Sequence, residues 1–287
     1  MLQLGRRTFG ADDLLVMAVV NRTPDSFYSG ARTLSDGPAL DAVDRAVAEG
    51  ADIIDIGGVK AGPGPQVDAG QEIARVINFI ATVRSRHPEV VISVDTWRAE
   101  VARAACAVGA DLLNDAWGGV DPELAEVAAE HGVGLVCTHT GGATPRTRPH
   151  RVAYEDVVAD VVARTTALAE RAVELGVRRE SVLVDPGHDF GKNTRHSLAV
   201  TGGLPKLVAT GFTVLVSLSR KDFVGETLDR TAPEDRLTGT LAATAVSAWL
   251  GARVFRVHDV RATVDTLHMV SAIRGTGQPA LSVRGLA

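Results

Sequence analysis

Eight short apolar runs recur along the chain, and each ends in a polar or ionisable residue. They cover residues 14–21, 53–58, 90–96, 112–115, 134–139, 182–187, 213–221 and 254–259, with room for at least one helix between most of them. The runs are rich in Val, Ile and Leu without strict alternation, which predicts parallel strands buried on both faces; a half-solvated sheet would show a period of two. The intervening segments carry helical spacing. Examples are Leu40, Val43 and Val47 in 38–49, Leu124 and Val127 in 121–131, and a long amphipathic stretch over 154–175. Strands alternating with helices predict an α/β fold, a single (β/α)8 TIM barrel over residues 1–287. Such a barrel builds its site at the carboxyl ends of its strands, so Asn21, Asp55, Asp95, Asn114, Asp115, His139, Asp185, Ser219, Lys221 and His258 are expected to converge. One Asp or Asn at a strand end is most often a helix cap or turn former. Recurrence at every strand end is what favours a site.

Two segments interrupt the pattern at the predicted rim: a Ser/Gly-containing loop over 22–37, and Gly57-Gly58-Val59-Lys60-Ala61-Gly62-Pro63-Gly64-Pro65, which continues neither a strand nor a helix. Long rim loops usually carry function. A third irregular segment, 141–151, holds Arg146, Arg148, His150 and Arg151, either as a solvated surface or as an anion contact. The stretch 237–250 is nearly uncharged and needs cover on both sides, which predicts a homodimer.

Composition narrows the function classes. Aromatic residues are only 4%, and the net charge of −5 comes without a basic stripe, which argues against nucleic acid. No apolar stretch is long enough to span a membrane, and Cys106 and Cys137 form neither a disulfide framework nor a zinc motif, so a cytoplasmic location is expected.

The chemistry resides in a few clusters. Asn21-Arg22-Thr23-Pro24-Asp25-Ser26-Phe27 offers oxygen ligands of the kind Mg2+ takes beside substrate phosphates, or else a self-capped turn. Asp95, Asn114 and Asp185 supply acceptors and one amide donor suited to a flat amino-heterocycle. Arg256 and His258 alternate on the last strand, and with Lys221 they predict a cationic corner for a diphosphate. The run Gly187-His188-Asp189-Phe190-Gly191-Lys192-Asn193 fails as a P-loop in glycine spacing and in its final residue, and His188 with Asp189 makes a weak metal motif.

Taken together, Asn21-x-Thr23-Pro24-Asp25-Ser26-Phe27, Asp55-Ile56-Gly57-Gly58, Ser93-Val94-Asp95-Thr96, Asn114-Asp115, Asp185-Pro186-Gly187 with Phe190-Gly191-Lys192, Ser219-Arg220-Lys221 and Arg256-Val257-His258-Asp259 resemble dihydropteroate synthase over most of the chain. That family joins p-aminobenzoate to a dihydropterin methyl diphosphate. The resemblance implies that Asp95, Asn114, Asp185 and Lys221 hold the pterin, that Asn21, Arg256 and His258 hold Mg2+ and diphosphate, and that Phe190, Ser219 and Lys221 border the aminobenzoate. Asn21, Asp25, Lys221, Arg256 and His258 are then the catalytic set. The chain departs from the family where Gly-Gly-Glu-Ser-Thr-Arg-Pro-Gly is replaced by Gly57-Gly58-Val59-Lys60-Ala61-Gly62-Pro63-Gly64, and where Arg22 replaces a small apolar residue. Charge-assisted hydrogen bonds contribute roughly 1.5–3 kcal/mol each, so losing two predicts a rate lower by about a thousandfold. The expected function is a synthase-like protein with weak or lost activity. The alternatives are a fully active synthase with rewired loops, a non-catalytic binder of pterin or of sulfone and sulfonamide compounds, and a pterin methyltransferase domain.

Overall fold

The architecture comes from a computed structural model, which describes residues 1–23, 36–147 and 153–285. A hairpin of β1 (Leu2–Leu4) and β2 (Arg7–Phe9) precedes eight parallel strands, β3 (Leu15–Asn21), β4 (Ile53–Gly57), β5 (Val91–Asp95), β6 (Leu112–Asp115), β7 (Gly134–Thr138), β8 (Val182–Asp185), β9 (Thr213–Val216) and β10 (Val254–Val257). The eight close into a barrel in chain order, with β10 beside β3. Around them lie α1 (Asp36–Ala48), α2 (Ala69–Arg86), α3 (Ala99–Ala107), α4 (Glu123–His131), α5 (Val157–Glu174), α6 (Thr194–Gly202), α7 (Leu204–Val208), α8 (Asp222–Leu228), α9 (Leu237–Trp249) and α10 (Val260–Arg274). No helix among the described residues is long and apolar enough to cross a membrane.

Local sequence sets several boundaries. Asp68 and Gln71 form a reciprocal capping box that starts α2, and Asn193 with His196 does the same for α6. The side chain of Asp156 accepts from the amides of Val158 and Ala159 at the start of α5. The run predicted over 213–221 is strand only to Val216, and Arg220 then adopts φ +57°, turning the chain so that Lys221 stands immediately before α8.

Strand alternation, hidden in the sequence because both faces are buried, becomes visible in the lumen. Leu15, Met17, Ile53, Val91, Leu112, Val136, Leu183, Leu215 and Val254 fill its lower part, sealed from beneath by Leu2, Leu4 and Phe9 of the hairpin. Each such aliphatic side chain contributes about 1.5–3 kcal/mol by leaving water. Two positions further along their strands stand Asp55, Ser93, Asn114, Thr138, Asp185 and Arg256. The outward positions pack under the helices in a separate core that includes Ile54, Ile56, Val76, Phe79 and Ile80. One end of the lumen is therefore closed by hydrocarbon, while the other carries the ionisable groups. Cys137 is buried in β7 and Cys106 half-buried in α3, both as free thiols, and burial pushes the Cys106 thiol up to about 12.

Candidate active site

The floor of the mouth is a network centred on Asp55, which is fully buried. Its carboxylate accepts from Ser93 Oγ at 2.6 Å, from Asn114 Nδ2 at 3.2 Å and from Arg256 Nε at 2.7 Å. A second nitrogen of Arg256, Nη2, donates to Asp95 Oδ2 at 2.8 Å. One guanidinium thus bridges two carboxylates from neighbouring strands, which explains why Arg256 is tolerated in the lumen. Burial pushes the Asp95 carboxyl up to about 7 against the pull of Arg256, because a single cation cannot neutralise both acids. Asp185, also buried, accepts from the Gly187 amide at 2.7 Å, and burial raises its pKa against the opposing charge of Lys221.

Above this floor the mouth divides in two. The first cavity, of about 300 Å³, is lined by Asn21, Thr23, Lys60, Asp95, Arg256 and His258, with Val19, Val59, Ala61 and Gly62 completing its wall. The second, of about 210 Å³, is chiefly apolar: Trp117 and Phe190 meet edge to face at 5.1 Å, and Ala61, Pro63, Ala143, Asp189 and Lys221 close around them. Ala61 and Gly62 border both cavities, so the segment that departs from the family pattern forms the partition between them.

The predicted site residues are distributed accordingly. Asn21, Asp95, Arg256 and His258 share the polar cavity, with Asn114 beneath it. Lys221 is not among the residues lining that cavity, though its charge acts on both Arg256 and His258. Its ammonium donates to the His188 carbonyl and lies 4.9 Å from the centre of the Phe190 ring, on the apolar side. Ser219 groups with the polar cavity through His258, its hydroxyl 2.9 Å from Nδ1 and accepting the His258 amide. Asp25 lies outside the described residues. Arg22 is buried, with its guanidinium 4.4 Å from the Phe79 ring of α2 and its amide donating to Gly57 O at 2.7 Å; of the two replacement cations, Lys60 is the one lining the cavity.

Other strand-end residues serve the scaffold. Asp115 accepts the amides of Trp117 and Gly119, bracing the turn after β6, and burial holds its carboxyl near 6. His139 packs against the start of α5, its Nε2 2.8 Å from Asp160 and its Nδ1 2.7 Å from the ammonium of Lys192. Lys192 also donates to the carbonyls of Gly187 and Phe190, so the lysine of the P-loop-like run clamps its own loop instead of reaching for phosphate. A Cβ at Gly187 would stand 1.9 Å from the His139 carbonyl oxygen, and the residue adopts φ +65°; both require glycine. His188 is buried against Thr201 and Phe223, and among the described residues no group of three or more His, Cys, Asp or Glu is arranged to hold a metal. Arg146 packs against Gly64 and lines a groove outside both cavities. Sequence reasoning missed Trp117, whose one signal was an aromatic residue two positions past a strand-end Asp.

The chain belongs to the pterin binding enzyme family, whose profile matches residues 17–258. It is 61% identical over 285 residues, 98% of each chain, to the inactive dihydropteroate synthase 2 of Mycobacterium leprae. To the dihydropteroate synthase of the same organism it is 39% identical over 279 residues, covering 94% of this chain and 96% of that one. Among solved structures, a Xanthomonas albilineans dihydropteroate synthase with 4-aminobenzoic acid superposes with a TM-score of 0.85 at 37% identity over 95% of both chains.

Proposed function

We propose that the chain is a dihydropteroate synthase-like protein that retains the pterin floor but turns over p-aminobenzoate and dihydropterin diphosphate weakly or not at all. The observation that carries this reading is the partition formed by residues 59–62. It stands where both reactants would meet, and it offers one flexible ammonium, Lys60, in place of a hydroxyl and a guanidinium. A lysine does not reproduce the bidentate grip of an arginine on a diphosphate. Resemblance to a mycobacterial protein named inactive supports the same conclusion.

In this reading Asp95, with Asn114 and Asp185, faces the ring nitrogens of the pterin, and Arg256 orients Asp95 from below. Asn21, Arg256 and His258 take the diphosphate, Ser219 positions His258, and Phe190 and Lys221 border the arylamine; Asp25 completes the catalytic set. The residues present also fit Mg2+: Asn21 presents an amide oxygen in the polar cavity, and Mg2+ takes one or two protein oxygens together with water and substrate phosphate. When bound, the ion would neutralise charge on the leaving diphosphate. The protein's own contribution is to hold the two reactants in line and exclude water.

A homodimer fits the exposed apolar stripe of Val246 and Trp249 on α9 beside Met269 and Ile273 on α10. A cytoplasmic location fits the two free thiols.

The deciding experiment is a steady-state assay with both substrates and Mg2+, paired with calorimetry of the pterin alone. Measurable pterin binding with a rate about a thousandfold below the usual 1–10 per second is expected. Turnover in that ordinary range establishes the alternative, an active synthase with rewired loops. Pterin binding with no turnover at any Mg2+ concentration bears out the proposal in its limit of lost activity, a protein that binds and does not catalyse.

A further inference from the structure

The apolar cavity has among its lining residues one that its hydrocarbon walls do not call for, Asp189. This residue adopts φ +66°, a conformation that Asp and Asn tolerate better than other side chains bearing a Cβ. Its side chain is fixed on both sides. Oδ1 accepts from Ser197 Oγ at 3.2 Å, while Oδ2 accepts the backbone amides of Asp222 at 2.8 Å and Phe223 at 3.4 Å. The carboxylate therefore occupies the donors at the start of α8, beside the cavity that Asp189 and Lys221 line.

Lys221 is the one cation lining this cavity among the described residues, and its ammonium donates to the His188 carbonyl. Asp189 is the strongest of its electrostatic partners and Asp185 the next. The nearby Lys192 points away, surrounded by His139 Nδ1 and three carbonyl oxygens, and Asp222 is paired with Arg236. Arg256, across the floor, is held by Asp55 and Asp95. An aryl carboxylate entering between Trp117 and Phe190 would give up its water, find the amides of Asp222 and Phe223 already occupied by Asp189, and meet the charge of that acid beside the ammonium of Lys221. An uncharged ring would meet only the favourable apolar surface.

We propose that this cavity admits uncharged aromatic amines and turns away those bearing a carboxylate, with Asp189 as the specificity-determining residue. The proposal rests on reading the cavity as the arylamine site, and it adds a second reason, separate from the partition, for poor use of p-aminobenzoate.

Ligand-observed NMR titration at neutral pH tests it, with p-aminobenzoate and 4-aminobenzamide as probes, in the presence and absence of the dihydropterin. The proteins are the parent, Asp189→Asn and Asp189→Gly. Asparagine keeps the shape, the acceptor oxygen and the tolerance of positive φ while removing the charge; glycine supplies the readout if asparagine fails to fold. The parent is expected to favour the amide by roughly tenfold, and Asp189→Asn to bring the two ligands within about threefold by improving p-aminobenzoate. Equal affinity for both probes in the parent overturns the charge selection and leaves the arylamine site intact. An unchanged preference in folded variants overturns the role of Asp189. If neither probe binds any of the three proteins while the dihydropterin does, the arylamine reading fails and the proposal falls with it.

Discussion

Arg256 shows at the residue scale how the floor depends on matched charges. Replacing it with alanine leaves the buried Asp55 and the half-buried Asp95 without their shared cation, and urea unfolding of Arg256→Ala is expected to show a loss of about 3 kcal/mol. Asp95→Asn should be much milder, since burial already holds that carboxyl near 7 and the amide oxygen still accepts from Arg256. His139 gives a pH signal of known sign. Burial and the neighbouring Lys192 lower its pKa from 6.5 to about 4, so between those values the unfolded chain binds a proton that the folded chain refuses. Its contribution is complete above pH 6.5 and is lost as the pH falls towards 4, on the order of 2–3 kcal/mol for a side chain with no exposure. Unfolding curves across this range should be flatter for His139→Gln than for the parent. From sequence, Asp55, Asp115 and His139 looked like Asp95 and Asp185, because a strand end reveals which residue reaches the mouth but not which neighbour takes its hydrogen bonds.

At the scale of elements, the connection from β4 to α2 decides how the two cavities communicate. Restoring the family residues by the fourfold change Val59→Glu, Lys60→Ser, Ala61→Thr and Gly62→Arg is expected to raise the steady-state rate by about a hundredfold or more if the partition is the main defect. A smaller gain that grows when Asp189→Asn is added would divide the defect between the two walls. The eight strands were legible because Val/Ile/Leu runs bounded by polar residues mark the buried parallel type, and α1, α4 and α5 followed from apolar spacing. The β1–β2 hairpin was not, since three-residue strands are too short to show a period. The place of Lys221 in the lining of the apolar cavity was also hidden. It depends on the turn at Arg220 and on a carbonyl from the loop after β8, neither of which leaves a mark in the local pattern.

For the molecule as a whole, the exposed stripe on α9 and α10 is the surface feature that the fold itself does not use. Trp249→Glu is expected to leave circular dichroism unchanged and to shift sedimentation from dimer to monomer if the stripe is the interface; a parent already sedimenting as a monomer removes the homodimer from the proposal. Family and barrel were readable at this scale because seven short motifs fall in order at strand ends, whereas assembly depends on side chains whose partners no single chain contains. The β10–β3 seam, where Val254 pairs with Leu15, carries a further consequence. Until the final strand leaves the ribosome, the nascent sheet keeps two open edges whose free amides and carbonyls invite pairing with other chains, so synthesis itself is the interval when this protein most needs a chaperone.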